Sequence, residues 1–418
     1  MITASRIKER IELLGSIGES NGNGVTRLAL SKEDKEAQAL VRSWMEQAGM
    51  EVRLDAAGNL VGRKAGLDPD AKPVVIGSHI DSVVNGGKYD GTIGVIGGIE
   101  VVQHLLEENI EAIHPIEVMV FCEEEGSRFQ SGLFGSRAVI GALAPGDLDL
   151  RDKHGISRRE ALMAFDLNPE EIPDTVTRNR GDVEVYLEMH IEQGPVLDTR
   201  GLPVGIVTAI AGPTWTEIEV EGKAGHAGTI PMGMRNDALL GASEIAIAVE
   251  EICMEYVGAP IVGTVGRMDV LPGGSNIVPG RVKMSVDLRD VDRARRSEAL
   301  EKLRVRAQQI AARRGLRVQL SERMTVDPVF CNDEVVNVMV EESEKMNLVC
   351  PQMISGAGHD AQLMASIADI GMIFVRCKDG ISHNPLEFAE PHDIALGTEL
   401  LSRVALRYAM KQVTQPSI

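Results

Sequence analysis

Residues 73–106 read PVVIGSHIDSVVNGGKYDGTIGVIGGIEVVQHLL. An apolar run rich in Val and Ile, Pro73–Ile80, passes through a turn-rich stretch into Thr92–Leu106, which is long enough for a helix. Strand, loop and helix in that order predict an α/β fold around a buried, mostly parallel sheet. The loop also carries chemistry. His79 stands at the strand end, Asp81 two residues on, and Asp90 at the far side of the turn pairs Asn85-Gly86 and Asp90-Gly91, which would bring Asp90 back to His79.

The same rhythm extends on both sides of this stretch. Further Val- and Ile-rich runs at Ile116–Cys122 and Val183–Met189 read as strands, and the segment Leu143–Arg180, polar and punctuated by prolines, reads as an excursion from that domain. Between about Gly212 and Pro328 the order changes. Trp215–Glu221 reads as a strand, Asn236–Tyr256 as a helix, Pro260–Val270 and Arg281–Asp290 as strands, Arg293–Arg314 as a helix ended by Gly315, and Arg317–Arg323 as a last strand. That is βαββαβ, a ferredoxin-like unit. The first pattern then resumes with a helix at Asp333–Lys345, a strand at Ile370–Cys377 and a helix at His392–Lys411. The expected organisation is a discontinuous domain, 1–211 and 329–418, with 212–328 inserted as an α+β domain.

Composition limits the partners. The 418 residues carry 62 acidic against 43 basic side chains, a net charge of −19, which disfavours nucleic acid and anionic membrane surfaces. An anionic small substrate would therefore need local arginines. The segment from Ile2 is charged rather than apolar, and no apolar run approaches the roughly 20 residues of a membrane span, so a cytoplasmic protein is expected. The five cysteines include no CxxC pair, which argues against a disulfide framework or a thiolate zinc site.

Four strand ends bear histidine or carboxylate. His79 follows PVVIGS, Glu123, Glu124 and Glu125 follow IEVMVFC, His190 follows VEVYLEM, and His383 lies just beyond IGMIFVRC in GISHNP. A single strand-end histidine is usually a hydrogen-bonded structural residue, and a run of glutamates is usually a solvated face. Together they have a shared location, because the carboxyl ends of strands in an open α/β sheet lie along one ligand-binding edge. Three histidines with carboxylates, Asp90 included, and no cysteine suit Zn, Mn, Co or Ni.

The motifs HIDSVVNGGKYDG, EEEGSRF, HIEQG, GHAGTIPM, GGSNIVPG, SGAGHDA and GISHNP span nearly the whole chain. With them the sequence resembles the metallopeptidase-like two-metal amidohydrolases related to aminoacylases and carboxypeptidase G. Within these it is similar to the branch containing N-carbamoyl-L-amino acid hydrolases, allantoate amidohydrolases and β-ureidopropionases. HIEQG marks that branch, since the peptidases have an acidic residue where this chain has His190. The resemblance implies two divalent metal ions per subunit bridged by Asp90, one held also by His79 and His190, the other by Glu125 and His383. It makes Asp81 the acceptor that fixes the His79 tautomer and Glu124 the general base; Glu123 has no matching role and is left as solvated or structural.

For the substrate, the resemblance assigns His226 to the reacting carbonyl, often across a dimer interface, and Asn276 and Arg289 to an α-carboxylate. Arg289 lies on a strand whose alternation puts it on the polar face. Gln193 and His359 are further pocket candidates, with the alternatives that Gln193 holds its own loop and His359 pairs with Asp360. Where allantoate amidohydrolases have an arginine, this chain has Trp215, an apolar wall suited to a carbamoylated amino acid, unless it only packs a hinge. The implied protein is a homodimer whose inserted domain serves as lid and dimerisation domain. It would convert N-carbamoyl-L-amino acids, small ureido substrates with a carboxylate, to L-amino acid, ammonia and carbon dioxide. Allantoate amidohydrolase, β-ureidopropionase and a peptidase-like aminoacylase are the alternatives within this class. A catalytically silent binding protein is the alternative outside it, against which stands the presence of all five ligand positions and the base.

Overall fold

The structure, a computed structural model, describes residues 2–20, 22 and 24–412; the other terminal residues of the expected discontinuous domain lie outside this set. Two compact units are present. The first comprises Met1–Thr208, Cys331–Met353 and His359–Ile418, and the second Ala209–Phe330 and Ile354–Gly358. The principal strands in chain order are β1 Glu51–Leu54, β2 Leu60–Lys64, β3 Val74–His79, β4 Ile116–Phe121, β5 Val185–Ile191, β6 Val204–Ile210, β7 Gly212–Glu221, β8 Val262–Leu271, β9 Arg281–Asp290, β10 Arg317–Thr325 and β11 Ile370–Val375.

In the first unit the strand order is β1–β2–β4–β3–β5–β11–β6. The central strands β4, β3, β5 and β11 are mutually parallel. Every one of their residues is buried, which explains why they read as Val- and Ile-rich runs, interrupted by the buried Glu117 and Glu188, rather than alternating ones. The margins are antiparallel, β1 on β2, β2 on β4 and β6 on β11, so the sheet is mixed. The reason is local at one margin. β1 and β2 are joined by a tight turn in which the Asp55 carboxylate accepts the amides of Ala57 and Asn59, and a turn that short can only join antiparallel strands.

The helix Thr92–Glu107 packs across β3, β4 and β5. It comes very close: a Cβ on Gly94 would fall 2.3 Å from the carbonyl oxygen of Met189, so only glycine lets the helix lie at this distance from β5. Because the four central strands are parallel, their carboxyl ends share one edge. His79 ends β3, Glu123 to Glu125 follow β4, His190 is the penultimate residue of β5, and His383 follows β11.

The second unit is a four-stranded antiparallel sheet, order β10–β7–β9–β8. Helices Ala238–Met254 and Arg293–Arg314 cover one face, and Gly315 at φ 65° ends the second of them. Along β9, Val282, Met284, Val286 and Leu288 point into a core with Ile218, Val220, Ile245 and Leu303. Full burial of each such side chain contributes roughly 1.5–3 kcal/mol. The alternate residues Lys283, Ser285, Asp287 and Arg289 form the uncovered face. The succession βαββαβ with this strand order is the ferredoxin-like arrangement expected from the sequence.

Candidate metal centre and substrate-binding residues

At the edge of the first sheet, His79, Asp90 and His190 offer ligand atoms within 4.8 Å of one another, and so do Asp90, Glu125 and His383. Asp90 is common to both groups. Its Oδ1 lies 3.0 Å from His190 Nε2 and 3.6 Å from His79 Nε2, while its Oδ2 lies 3.1 Å from His383 Nε2. His383 Nε2 is in turn 3.6 Å from Glu125 Oε2.

The histidine tautomers follow from their other contacts. His79 Nδ1 is 3.0 Å from the Asp81 carbonyl and His190 Nδ1 is 2.9 Å from the Ile191 carbonyl, so each Nδ1 carries the proton and donates it. The amide of Gly91 donates to His190 Nε2, which is therefore a lone pair. Lone-pair nitrogens facing a carboxylate repel it unless positive charge stands between them. The donor set, nitrogen and oxygen without sulfur, thus fits divalent cations of the Zn, Mn, Co and Ni type.

Local structure explains how Asp90 reaches this position. Gly91 has φ +66°, and a Cβ there would lie 2.4 Å from the His79 ring, so both backbone and space require glycine. The amides of Tyr89 and Asp90 donate to Glu387 Oε1, and the Ser382 hydroxyl lies 2.9 Å from Glu387 Oε2 and 3.1 Å from Asp90 Oδ2. Gln193, itself at φ +55°, donates from Nε2 to Asp90 Oδ2 at 2.9 Å. Gln193 therefore touches the carboxylate shared by both ligand groups. Ser382 and Glu387 were not singled out from the sequence; the signal available was their place in the same short loop as His383.

Asp81 differs from expectation in which of its groups meets His79. Its carbonyl takes the Nδ1 proton, whereas its carboxylate stands 3.6 Å away and accepts the amides of Glu124 at 3.1 Å and Glu125 at 3.2 Å. The carboxylate is thus committed to the backbone of the neighbouring strand end. Glu124 Oε2 lies 3.8 Å from His79 Nε2. Burial pushes the Glu124 carboxyl well above its usual range, His79 opposes this, and Glu125 and Asp360 add to it. For Asp90, burial raises and the neighbouring histidines His190, His383 and His79 lower, and their influence holds it well below the carboxylate range. Burial, then Asp90, pushes Glu125 up to about 7, and the hydrogen bond to Asp90 pushes His383 up to about 9.

Glu123 is not solvated: it is 1 % exposed, and Arg158 Nε donates to it at 2.9 Å. His359 is buried with its ring edge-on to His190, centroids 4.5 Å apart, and burial followed by the charge of His190 holds its pKa well below the usual imidazole value. Its neighbour Asp360 is fully buried and pushed up to about 8 by burial and then by Glu188.

The second unit holds the other candidates. His226 and Asn276 are brought together by a two-stranded ladder in which Ile277 faces His226 and the Ala227 amide donates to the Asn276 carbonyl. Trp215 lies opposite Asp287 across β7 and β9, so Arg289 is its diagonal neighbour on the uncovered face. Both line a groove of about 650 Å³ with Thr264, Asp287 and Gly356. Trp215 is 46 % exposed. The Arg289 fork is already engaged, Nη2 with Asp287 at 2.8 Å and Nη1 with the Gly356 carbonyl at 2.7 Å.

No helix among the described residues is long and apolar enough to cross a membrane. The profile of Peptidase family M20/M25/M40 matches residues 75–407. An N-carbamoyl-L-amino-acid amidohydrolase of Pseudomonas sp. (strain NS671) is 47 % identical over 97 % of this chain and 99 % of its own. A second, from Geobacillus stearothermophilus, is 44 % identical over 96 % and 97 %. Among solved structures, an amidase of the hydantoinase/carbamoylase family from Burkholderia multivorans superposes with a TM-score of 0.92 at 37 % identity, covering 99 % of each chain. A family match across most of the sequence and relatives of equal length agree with the mixed α/β sheet and its ligand-bearing edge: the chain belongs to peptidase family M20/M25/M40.

Proposed function

We propose that this chain is a metal-dependent amidohydrolase that converts N-carbamoyl-L-amino acids to L-amino acid, ammonia and carbon dioxide. The observation that carries the reading is Asp90, whose two carboxylate oxygens face histidines of two ligand groups, with Glu124 beside the first of them. In this reading 1–211 and 329–418 form the catalytic domain and 212–328 a lid and dimerisation domain of a homodimer. His79, Asp90 and His190 would hold one divalent ion, and Asp90, Glu125 and His383 a second. When bound, such ions polarise the ureido carbonyl and acidify water.

The side chains divide the remaining work. Glu124 accepts a proton from the attacking water and returns it to the leaving nitrogen as the C–N bond breaks. The carbamic acid left behind loses carbon dioxide. His226 stabilises the oxyanion, Asn276 and Arg289 hold the substrate carboxylate, and Gln193 and Asp81 keep the ligand-bearing loops in place. His359, buried against His190, supports that ring. Trp215, aromatic and uncharged, favours an amino-acid side chain over a second polar arm.

Turnover of N-carbamoyl-L-methionine, 3-ureidopropionate and allantoate by the metal-loaded enzyme tests the assignment. The carbamoyl amino acid should lead in kcat/KM by at least about tenfold. Preference for allantoate would replace this reading with allantoate amidohydrolase, and absence of turnover on all three would leave a binding protein.

A further inference from the structure

Glu123 stands between the apolar strand β4 and the two carboxylates that carry the chemistry. Its backbone is left-handed, φ +55°, which is unusual for a residue with a side chain and is kept only where the surroundings enforce it. The enforcing groups are visible. Glu123 Oε1 accepts the Phe129 amide at 2.9 Å, closing the loop that contains Glu124 and Glu125. Glu123 Oε2 accepts from Arg158 Nε at 2.9 Å, and both side chains are 0 % exposed.

Arg158 comes from the polar excursion, as the first residue of the helix Arg158–Ala164. Its other nitrogens donate to the carbonyls of Asp147 at 2.7 Å and Ser131 at 3.1 Å, and its guanidinium lies 4.2 Å from the Phe134 ring centroid and 5.1 Å from that of Phe129. The guanidinium is thus fixed on its edge and over its face. The Asp81 carboxylate in turn holds the amides of Glu124 and Glu125. If stability alone were at stake, apolar residues of similar volume would serve as well as a buried ion pair. What they could not supply is a planar guanidinium that ties the Glu123 carboxylate, through Nε, to the carbonyls of Asp147 and Ser131.

We propose that Arg158 is a positioning residue for the reaction. Acting through Glu123, it holds the backbone turn that sends Glu124 towards His79 and Glu125 towards Asp90 and His383. The inference rests on the reading of Glu124 as general base and Glu125 as ligand.

The test uses full-length Arg158→Met, Arg158→Lys and Glu123→Gln, with Glu124→Gln as a control. Steady-state kinetics are measured on the metal-loaded proteins and amide hydrogen exchange on the metal-free ones. Arg158→Met is expected to lower kcat about 10- to 100-fold while KM stays within about threefold, the size seen when groups supporting ligands are removed. Arg158→Lys, which keeps the charge without the fork, should recover only part of this. Exchange at the Glu124 and Glu125 amides should accelerate at least about tenfold in Arg158→Met, with β3 and β5 unchanged. Glu123→Gln keeps volume and an acceptor oxygen, so it remains informative where Arg158→Met fails to fold; it should show the same pattern at smaller size. Folded Glu123→Gln and Arg158→Lys proteins with wild-type kcat and wild-type exchange overturn the inference. Should Glu124→Gln keep full turnover, it is the functional reading beneath the inference that falls.

Discussion

The roles proposed for Glu124 and Arg289 differ in kind, and single substitutions separate them. Glu124→Gln removes the proposed proton acceptor but leaves His79, Asp90, His190, Glu125 and His383 intact. Metal content should therefore stay normal while kcat falls by about 10²- to 10⁴-fold, the usual share of a positioned general base. Near-normal turnover in the metal-loaded variant would remove the assignment. Arg289→Ala should raise KM for carboxylate substrates with a smaller change in kcat, and kcat/KM should fall about 10- to 100-fold for the loss of one or two charge-assisted hydrogen bonds. Arg289→Lys should not rescue it, because Asp287 and Gly356 hold a planar fork and an ammonium cannot replace one. Unchanged kcat/KM in Arg289→Ala would exclude the carboxylate clamp.

Elements explain what the sequence could and could not reveal. The Val- and Ile-rich runs ending in Ile80, Cys122, Met189 and Cys377 mark β3, β4, β5 and β11 to within two residues, because burial on both faces favours apolar residues throughout, with Glu117 and Glu188 as buried exceptions. Alternation along β9 placed Arg289 on the uncovered face for the complementary reason. Direction was not legible. A run of Val and Ile encodes burial, not whether the neighbour runs alongside or against it, so β1, β2 and β6 at the antiparallel margins went unforeseen. Partners distant in sequence were equally invisible: Arg158 lies 35 residues from Glu123, and the Asp81 carboxylate reaches amides 43 and 44 residues away. The loop between β3 and its helix offers a test at this scale. Gly91→Ala would drive a methyl group into the His79 ring and adds about 1–2 kcal/mol of left-handed strain. Metal affinity should fall about 10- to 100-fold in a protein with an unaltered far-UV spectrum; wild-type affinity would mean that His79 is free to move aside.

For the whole molecule, the ligand groups draw on residues from 79 to 383, and no short peptide contains either set. A cation held by either group would bind the folded chain and not the unfolded one, and at a free concentration a thousand times Kd would add about 4 kcal/mol to stability. Chelation should abolish turnover and lower Tm by on the order of 5–10 °C, with both restored by a divalent ion. A Tm indifferent to chelator would contradict the proposed centre. The place of β11 adds a matter of timing. It lies between β5 and β6, strands that leave the ribosome roughly 180 residues earlier, a delay of about 10–40 s at ordinary elongation rates. Until it emerges, β5 has an unfilled edge where β11 will pair, and His383 is not yet made. The growing chain therefore holds His79, Asp90 and His190 before β11 is made, whereas the second ligand group is complete only when β11 and the loop after it join a sheet already begun.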